Sequence, residues 1–365
     1  MTSRRVVIAP DSFKGSMTAQ QAADAIASGW IETRPNDSVF TFPMADGGEG
    51  TLDIVKEATP GSRVVEVGLV TGPDGTPVPS HYLALDDETA LVELAVCSGI
   101  TLMDPLNALA ATTVGLGQTI RVALDNGIRH VIIALGGSAS TDAGVGALQA
   151  LGLGALRADG REIGHGGVFL ADIQRFDATN LLLPDQVTVL RDTTATFIDA
   201  PGIFGPQKGA TPDDVAQLED AFRHLLRLTG DSAHHLIPGS GAAGGCGWGF
   251  AHFLSAKIID GASTVADLTG VTHAIDQADA VITGEGKFDT TSMTGKVTGT
   301  IMSLAKKKGI PVGIVAGIVD DPSTDMATAS LVDEAGGADG ALSEPSRFAK
   351  DAAAQLATRM LRGLN

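Results

Sequence analysis

Residues 5–9 (RVVIA) form a short unbroken apolar run, the pattern of a strand buried on both faces of a parallel sheet. A loop with Pro10 and Gly15 follows. Thr18 and Gln21 then stand at capping-box spacing and predict a helix from Thr18 to about Gly29. Residues 39–44 (VFTFPM) read as a second strand that opens through Asp46-Gly47-Gly48-Glu49-Gly50 into the helix TLDIVKEA. Strand, glycine turn and helix in that order place ligands at the carboxyl edge of an open α/β sheet.

From about Arg63 to Val92 the pattern changes to alternation, with GPDG between β-branched flanks predicting a hairpin. A helical pattern at 114–126, a strand at 130–135 (HVIIAL), a glycine turn and a helix to about Ala150 come next. Residues 157–200 are irregular and strand-rich, with an apparent strand QVTVL. Residues 211–229 are an amphipathic helix capped by Thr211 with Pro212 at its first position. Late in the chain a strand at 279–282 leads into the turn GEGKFD. A helix from about Gly295 to Lys308, a strand at 311–316, a short strand near Ala338 and a helix at 347–363 complete the series. Alternating α/β ends around a hairpin-bearing middle predict an α/β protein. It has a discontinuous Rossmann/flavodoxin-like parallel-sheet domain (1–66 and 262–365) and an inserted second α/β domain with a mixed sheet (67–261).

The length of 365 residues fits about two domains at roughly 150 residues each. Aromatics at 4% leave few stacking platforms for bases, and a net charge of −18 disfavours a nucleic-acid backbone as partner. No apolar run reaches membrane-spanning length and no secretory pattern precedes the first strand, so a cytoplasmic enzyme acting on a small molecule is expected. Cys97 and Cys246 stand alone and read as buried small hydrophobes in a reducing compartment. Association into a homodimer is left open.

The 46 glycines have no repeat period, so their excess belongs to turns and sites. Five segments combine glycine with charge: APDSFKGS, ADGGEG, GGSASTDAG, FGPQKGA and GEGKFD. Glycine admits close backbone approach and lets N–H groups converge, carboxylates suit a metal or a hydroxyl proton, and lysines suit phosphate. Lys14, Lys208, Lys287 and Lys296 all fall in or beside these segments, which matters in a chain whose overall field repels anions. Neither a dinucleotide fingerprint nor a Walker A motif is present. Gly136, Gly137 and Ser138 instead suggest a phosphate nest, with Asp142 one turn inside; tight helix–sheet packing would give the same pattern. Asp46 and Glu49 suit Mg²⁺ or an oriented hydroxyl, or simply complement a helix dipole, and Glu285 and Asp289 pose the same choice. Asp192 reads as a carboxylate at a strand end or a turn aspartate. GSGAAGGCGWG admits either close nucleotide approach or close helix packing. The histidines do not organise: His234-His235 precede a loop, His224 lies on a polar helix face and the other five are isolated, against a histidine-based metal site.

Taken in order, VIAPDSFKGSMTA, PMADGGEGT, GGSAS…D…G…LQALG, FGPQKGAT, PGSGAAGG and VITGEGKFD…GK resemble the bacterial glycerate kinase family over essentially the whole chain. The resemblance implies ATP- and Mg²⁺-dependent phosphorylation of D-glycerate to 2- or 3-phosphoglycerate in a cleft between the domains, with a related hydroxy acid or sugar acid as the alternative acceptor. It implies Asp192 as the group that accepts or orients the hydroxyl proton, and Lys14 and Lys208 as cations for phosphate or carboxylate, with Lys296 a further one. Asp46, Glu49 and Asp289 are the implied metal ligands. Gly47, Gly48, Gly136, Gly137, Ser138, Gly284 and Gly286 are the turns implied to cradle ATP. The chain departs from the family where C-D-V-x-N-P-L is usual and Arg191 to Phe197 read RDTTATF. It also has Thr141 for an Asn, Thr291 for a Gln and Thr298 for a Pro. Exchanging amides for hydroxyls or methyls in a polar pocket changes discrimination by orders of magnitude, so the acceptor is less firmly implied than the reaction.

Overall fold

The computed structural model describes residues 3–293, 296–320 and 326–362. Two compact units divide the chain, residues 1–46 with 262–365 and residues 47–261. The chain begins in the first unit with β1 (Arg5–Ile8) and β2 (Ser38–Thr41). The second unit supplies β3 (Arg63–Thr71), β4 (Pro77–Ala84), β5 (Thr89–Glu93), β6 (His130–Ala134), β7 (Gly154–Leu156), β8 (Arg175–Asp177), β9 (Gln186–Arg191) and β10 (Lys257–Asp260). The chain returns to the first unit with β11 (Ala280–Phe288), β12 (Val312–Val319) and β13 (Ala327–Ser330).

The first unit is a five-stranded parallel sheet ordered β13-β12-β11-β1-β2. Counted within the unit this is the 2-1-3-4-5 order of flavodoxin-like sheets, whose direction of winding reverses between β1 and β11. Its core joins Val6, Ile8 and Ile282 of the sheet to Ile26 and Trp30 of the helix Ala19–Thr33 and Leu356 of the helix Pro345–Arg362. The capping box is present, Thr18 accepting from the Gln21 N–H and Gln21 from the Thr18 N–H.

The second unit holds a six-stranded mixed sheet ordered β10-β9-β6-β5-β4-β3. β5, β6, β9 and β10 run parallel, and the predicted hairpin adds β4 and β3 antiparallel at the edge. Val131, Ile133, Val187 and Val189 form the middle of its core. The amphipathic helix Pro212–Thr229 buries Leu218, Ala221, Phe222 and Leu225 and is capped by Thr211 as predicted. No helix among the described residues is long and apolar enough to cross a membrane.

Three elements differ from the sequence reading. GEGKF is not a turn: β11 runs on to Phe288, in register with β12 as far as Val319. A Cβ on Gly284 would lie 2.1 Å from the Val315 carbonyl oxygen, so this glycine serves strand packing. Ala338–Ser343 is helical rather than a strand, consistent with its lack of β-branched residues, and the edge strand is β13 instead. The first division falls at Asp46/Gly47 rather than after residue 66, because residues 47–66 bond within the second unit. Gly295 and residue 363, given as bounds of helices, lie outside the described residues.

Residues 47–66 are held partly by a cap that comes from far along the chain. Gly50 heads the helix Thr51–Ala58 with no side chain to offer, and buried Glu93 accepts from the N–H groups of Gly50 (3.0 Å) and Leu52 (2.9 Å). Burial pushes the Glu93 carboxyl up to about 7 against the opposing pull of those two donors. Glu93→Ala would strand both N–H groups and is expected to destabilise this unit by about 1–3 kcal/mol. An unchanged urea midpoint would contradict the cap.

Candidate active site

In the first unit, charged groups gather at the carboxyl ends of β1 and β11, where the winding reverses. The segment after β1 continues the ladder beside β11, with Ala9 N–H donating to Ile282 (2.8 Å) and Asp11 N–H to Gly284 (2.8 Å). Met44 N–H donates to Pro10 (3.0 Å), which brings the segment after β2 alongside. Asp11, Lys14, Asp46, Glu285, Gly286 and Lys296 consequently line one cavity of about 390 Å³. Its other wall is apolar, from Ile318, Leu331, Val332 and Leu342.

The carboxylates crowd one another. Burial, then the charge of Asp46, push the Asp11 carboxyl up to about 8, with Glu285 adding to the rise. The Ser12 N–H (2.6 Å) and Lys14 oppose it. Burial also raises Glu285, and its Oε1 has no hydrogen-bond partner among the described residues. A cavity that holds carboxylates this reluctant to ionise and an unsatisfied carboxylate oxygen fits an additional cation.

In the second unit a smaller cavity of about 90 Å³ lies at the carboxyl ends of the adjacent parallel strands β6 and β9. Gly136, Gly137 and Ser138 follow β6, Asp192 and Thr193 follow β9, and Gln207 and Lys208 complete the polar lining. Lys208 is 3% exposed. Its Nζ donates to Ser138 Oγ (2.8 Å) and the Ser140 carbonyl (2.6 Å). Burial pushes its ammonium down to about 8, with Asp192 and Asp142 among the groups that resist the fall. Asp142 does not face this cavity: it is buried and accepts from Thr113 N and Oγ1 (both 2.8 Å) and the N–H groups of Gly144 and Gly146.

Gly47 and Gly48 pack behind Gly136. Gly136 N–H donates to the Gly47 carbonyl (3.0 Å), so this N–H is spent on the protein and not offered to a ligand as expected. A Cβ on Gly136 would lie 2.4 Å from Gly48 Cα and 3.0 Å from Asp192 Oδ2. Glycine here serves the contact that sets Asp192 in place. The small-residue segment 239–249 also turns out to pack backbone on backbone: side chains on Gly244, Gly247 or Gly249 would meet the carbonyls of Ser140, Gly239 and Ala143 at 2.2–2.3 Å.

Among the residues singled out from sequence, Lys14, Asp46, Glu285, Gly286, Lys287 and Lys296 meet in the larger cavity, and Gly136, Gly137, Ser138, Asp192 and Lys208 in the smaller one. Gly284 lies within β11. Asp289 lines neither cavity; its carboxylate accepts from Thr291 N–H (2.9 Å) and Oγ1 (2.6 Å) and pairs with Lys287 (3.4 Å), which also pairs with Asp320 (3.0 Å). Glu49 is exposed in the second unit. Glu285, which from sequence suits either Mg²⁺ or a helix dipole, lines the larger cavity, and beside it stands Asp11, which was not singled out as a ligand although it lies in a glycine-rich segment. Histidines do organise, contrary to expectation: His234, His235 and His252 converge on Asp231, because the loop after the helix Pro212–Thr229 folds onto the helix Ala242–Leu254.

Comparison with known proteins agrees with these features. The sequence profile described as the Glycerate kinase family matches residues 6–361. A relative from Halalkalibacterium halodurans named glycerate kinase is 39% identical over 324 residues, covering 86% of this chain and 85% of the relative. A glycerate 2-kinase from Escherichia coli K12 is 37% identical over 330 residues, covering 87% and 86%. A crystal structure of a protein provisionally named glycerate kinase 2, from Salmonella typhimurium LT2, superposes with a TM-score of 0.79 at 34% identity over 100% of both chains.

Gly136→Ala tests the packing of Gly136 against Gly48 and Asp192. Moving Asp192 by about 1 Å is expected to lower kcat by about 10²-fold in a phosphotransfer assay, with the circular dichroism spectrum retained. Wild-type turnover in a folded variant would show that this contact does not position Asp192.

Proposed function

This chain belongs to the glycerate kinase family, and we propose that it transfers the γ-phosphoryl group of ATP to a hydroxyl of D-glycerate. The observation that carries the reading is the presence of two unlike sites, a cavity of about 390 Å³ with an apolar wall and a charged end, and one of about 90 Å³ built around a buried lysine and a carboxylate. The first has the size and lining of a nucleotide pocket. The second offers a lysine and a carboxylate to a small acid.

Phosphoryl transfer needs alignment and charge neutralisation above all. In this reading Ile318, Leu331, Val332 and Leu342 cover the base, and Lys14 and Lys296 face the phosphates. Mg²⁺ bound with ATP would be held by Asp46 together with Asp11 and Glu285, and would supply neutralisation of phosphate charge. Glu49 and Asp289 are not needed as ligands. Lys208, already fixed by Ser138 and Ser140, takes the glycerate carboxylate with its remaining proton. Asp192 receives the proton of the attacking hydroxyl as the O–P bond forms. ATP as donor assigns the reaction to the cytoplasm.

The exchanged residues bear little on the acceptor. Thr141 is fully buried, and neither it nor Ala195 lines the smaller cavity; of the departures in 191–197, only Thr193 does. The name of the Escherichia coli relative favours the 2-hydroxyl as acceptor.

Asp192→Asn is expected to cut kcat with D-glycerate and ATP by about 10²–10⁴-fold. Near-normal turnover would remove Asp192 from the role, and ³¹P NMR of the wild-type product identifies the hydroxyl. The buried lysine sets a pH limit. Its ammonium is charged below about 8 and neutral above. With ATP saturating, kcat/KM for glycerate should fall about tenfold per unit as pH rises beyond that point. A flat profile to pH 10 would refute pairing of Lys208 with the carboxylate.

A further inference from the structure

Away from both cavities, the second unit gathers imidazoles around one buried carboxylate. Asp231 follows Gly230 at the end of the helix Pro212–Thr229, and its side chain is 2% exposed. Its Oδ2 accepts from His235 N–H (2.9 Å) and Nδ1 (2.9 Å) and from Trp248 Nε1 (3.3 Å). Its Oδ1 accepts from His234 N–H (3.1 Å) and lies 2.7 Å from His234 Nδ1 and 3.7 Å from His252 Nδ1. Burial opposes ionisation of Asp231, yet the donors of His235 and His234 outweigh it and hold the carboxyl well below its usual range. The His252 Nδ1 is buried with no hydrogen-bond partner among the described residues.

We propose that Asp231, His234 and His252 form a binding site for a transition-metal ion of the Zn²⁺ type. The three ligand atoms all lie within 4.8 Å of one another. Tetrahedral bonds of the usual Zn–N and Zn–O lengths separate neighbouring ligand atoms by about 3.3 Å. The two Oδ1 distances, 2.7 and 3.7 Å, fall on either side of that value. The ion would replace the proton between Asp231 and His234, with the His234 proton carried on Nε2. His235 and Trp248 would remain as the outer partners that orient the carboxylate. Imidazole nitrogens distinguish this site from the all-oxygen surroundings that Mg²⁺ prefers. His234 is 41% exposed, so the site is open to ions from solvent. The bound ion would tie the end of the helix Pro212–Thr229 to the turn His234–Leu236 and the helix Ala242–Leu254.

The test is titration of the full chain, freed of metal by a chelator, with Co²⁺ alone and then with Zn²⁺ as competitor. Wild type is expected to take up about one equivalent at low micromolar Co²⁺, with visible absorption of a four- or five-coordinate ion, and Zn²⁺ should displace it and raise Tm. His252→Gln and His234→Ala should weaken binding by about 10–100-fold and abolish the Tm shift. Their circular dichroism and metal-free melting temperature check that each remains folded. Absence of low-micromolar binding in wild type, or equal affinity in wild type and both folded variants, would overturn the site.

Discussion

A parallel strand leaves its last backbone groups and the side chains that follow at one edge of the sheet, and both candidate sites depend on that constraint. In the first unit the pairing of β1 with β11 forces the residues after β1 to run beside Gly284 and Glu285. That single adjacency brings Asp11 to Glu285, although 274 residues of chain (285 − 11) separate them. In the second unit the pairing of β6 with β9 does the same for Gly136 and Asp192. Loop chemistry in this chain is therefore a consequence of strand order, and the glycines mark places where the loops press together without side chains between them.

Burial acts on the two sites with opposite electrical results. Low polarisability of the surroundings disfavours any charged form, so the Asp11 carboxyl rises and the Lys208 ammonium falls, both to about 8. The first site sets Asp11, Asp46 and Glu285 among Lys14, Lys287 and Lys296, so its carboxylates can meet a cation and its lysines an anion. The second holds a cation that is already strained by desolvation, and a carboxylate placed against it would relieve that strain. Each site is complementary to what a kinase for a small acid must bind, in spite of a net charge of −18 on the whole chain.

Much of this was legible in the sequence, and what was not has a common cause. Apolar runs located β1, β6 and β9, and caps located the helices at Ala19 and Pro212, since these depend on residues near in sequence. Gly284 and Gly286 were misread as a turn because a strand glycine that admits a close neighbour looks locally like a turn glycine. Asp11 and Glu285 acquire their significance only from each other. The same holds for Glu93, whose partners Gly50 and Leu52 lie 43 and 41 residues away. His234 and His252 looked unrelated because a helix boundary and a loop separate them, and Asp231 reveals their relation only when the loop is folded.

The departures from the family pattern between Arg191 and Phe197 call for a different means of holding Asp192, and the second unit provides one in backbone and aromatic contacts. The Ala195 carbonyl accepts from the N–H groups of Gly239 (3.2 Å) and Gly241 (3.0 Å), which requires nothing of the Ala195 side chain. Phe197 is fully buried between Phe222 and Trp248, with ring centroids at 4.3 and 4.4 Å, and its N–H donates to the His235 carbonyl (3.2 Å). Thr193 accepts from Ala195 N–H (3.2 Å), closing the local turn. A side-chain amide in such a segment would supply fixed hydrogen bonds; here main-chain groups and stacked rings supply the rigidity. Main-chain bonds at Ala195, the Thr193 hydroxyl and the stacked Phe197 ring together hold the segment that follows Asp192 at the end of β9.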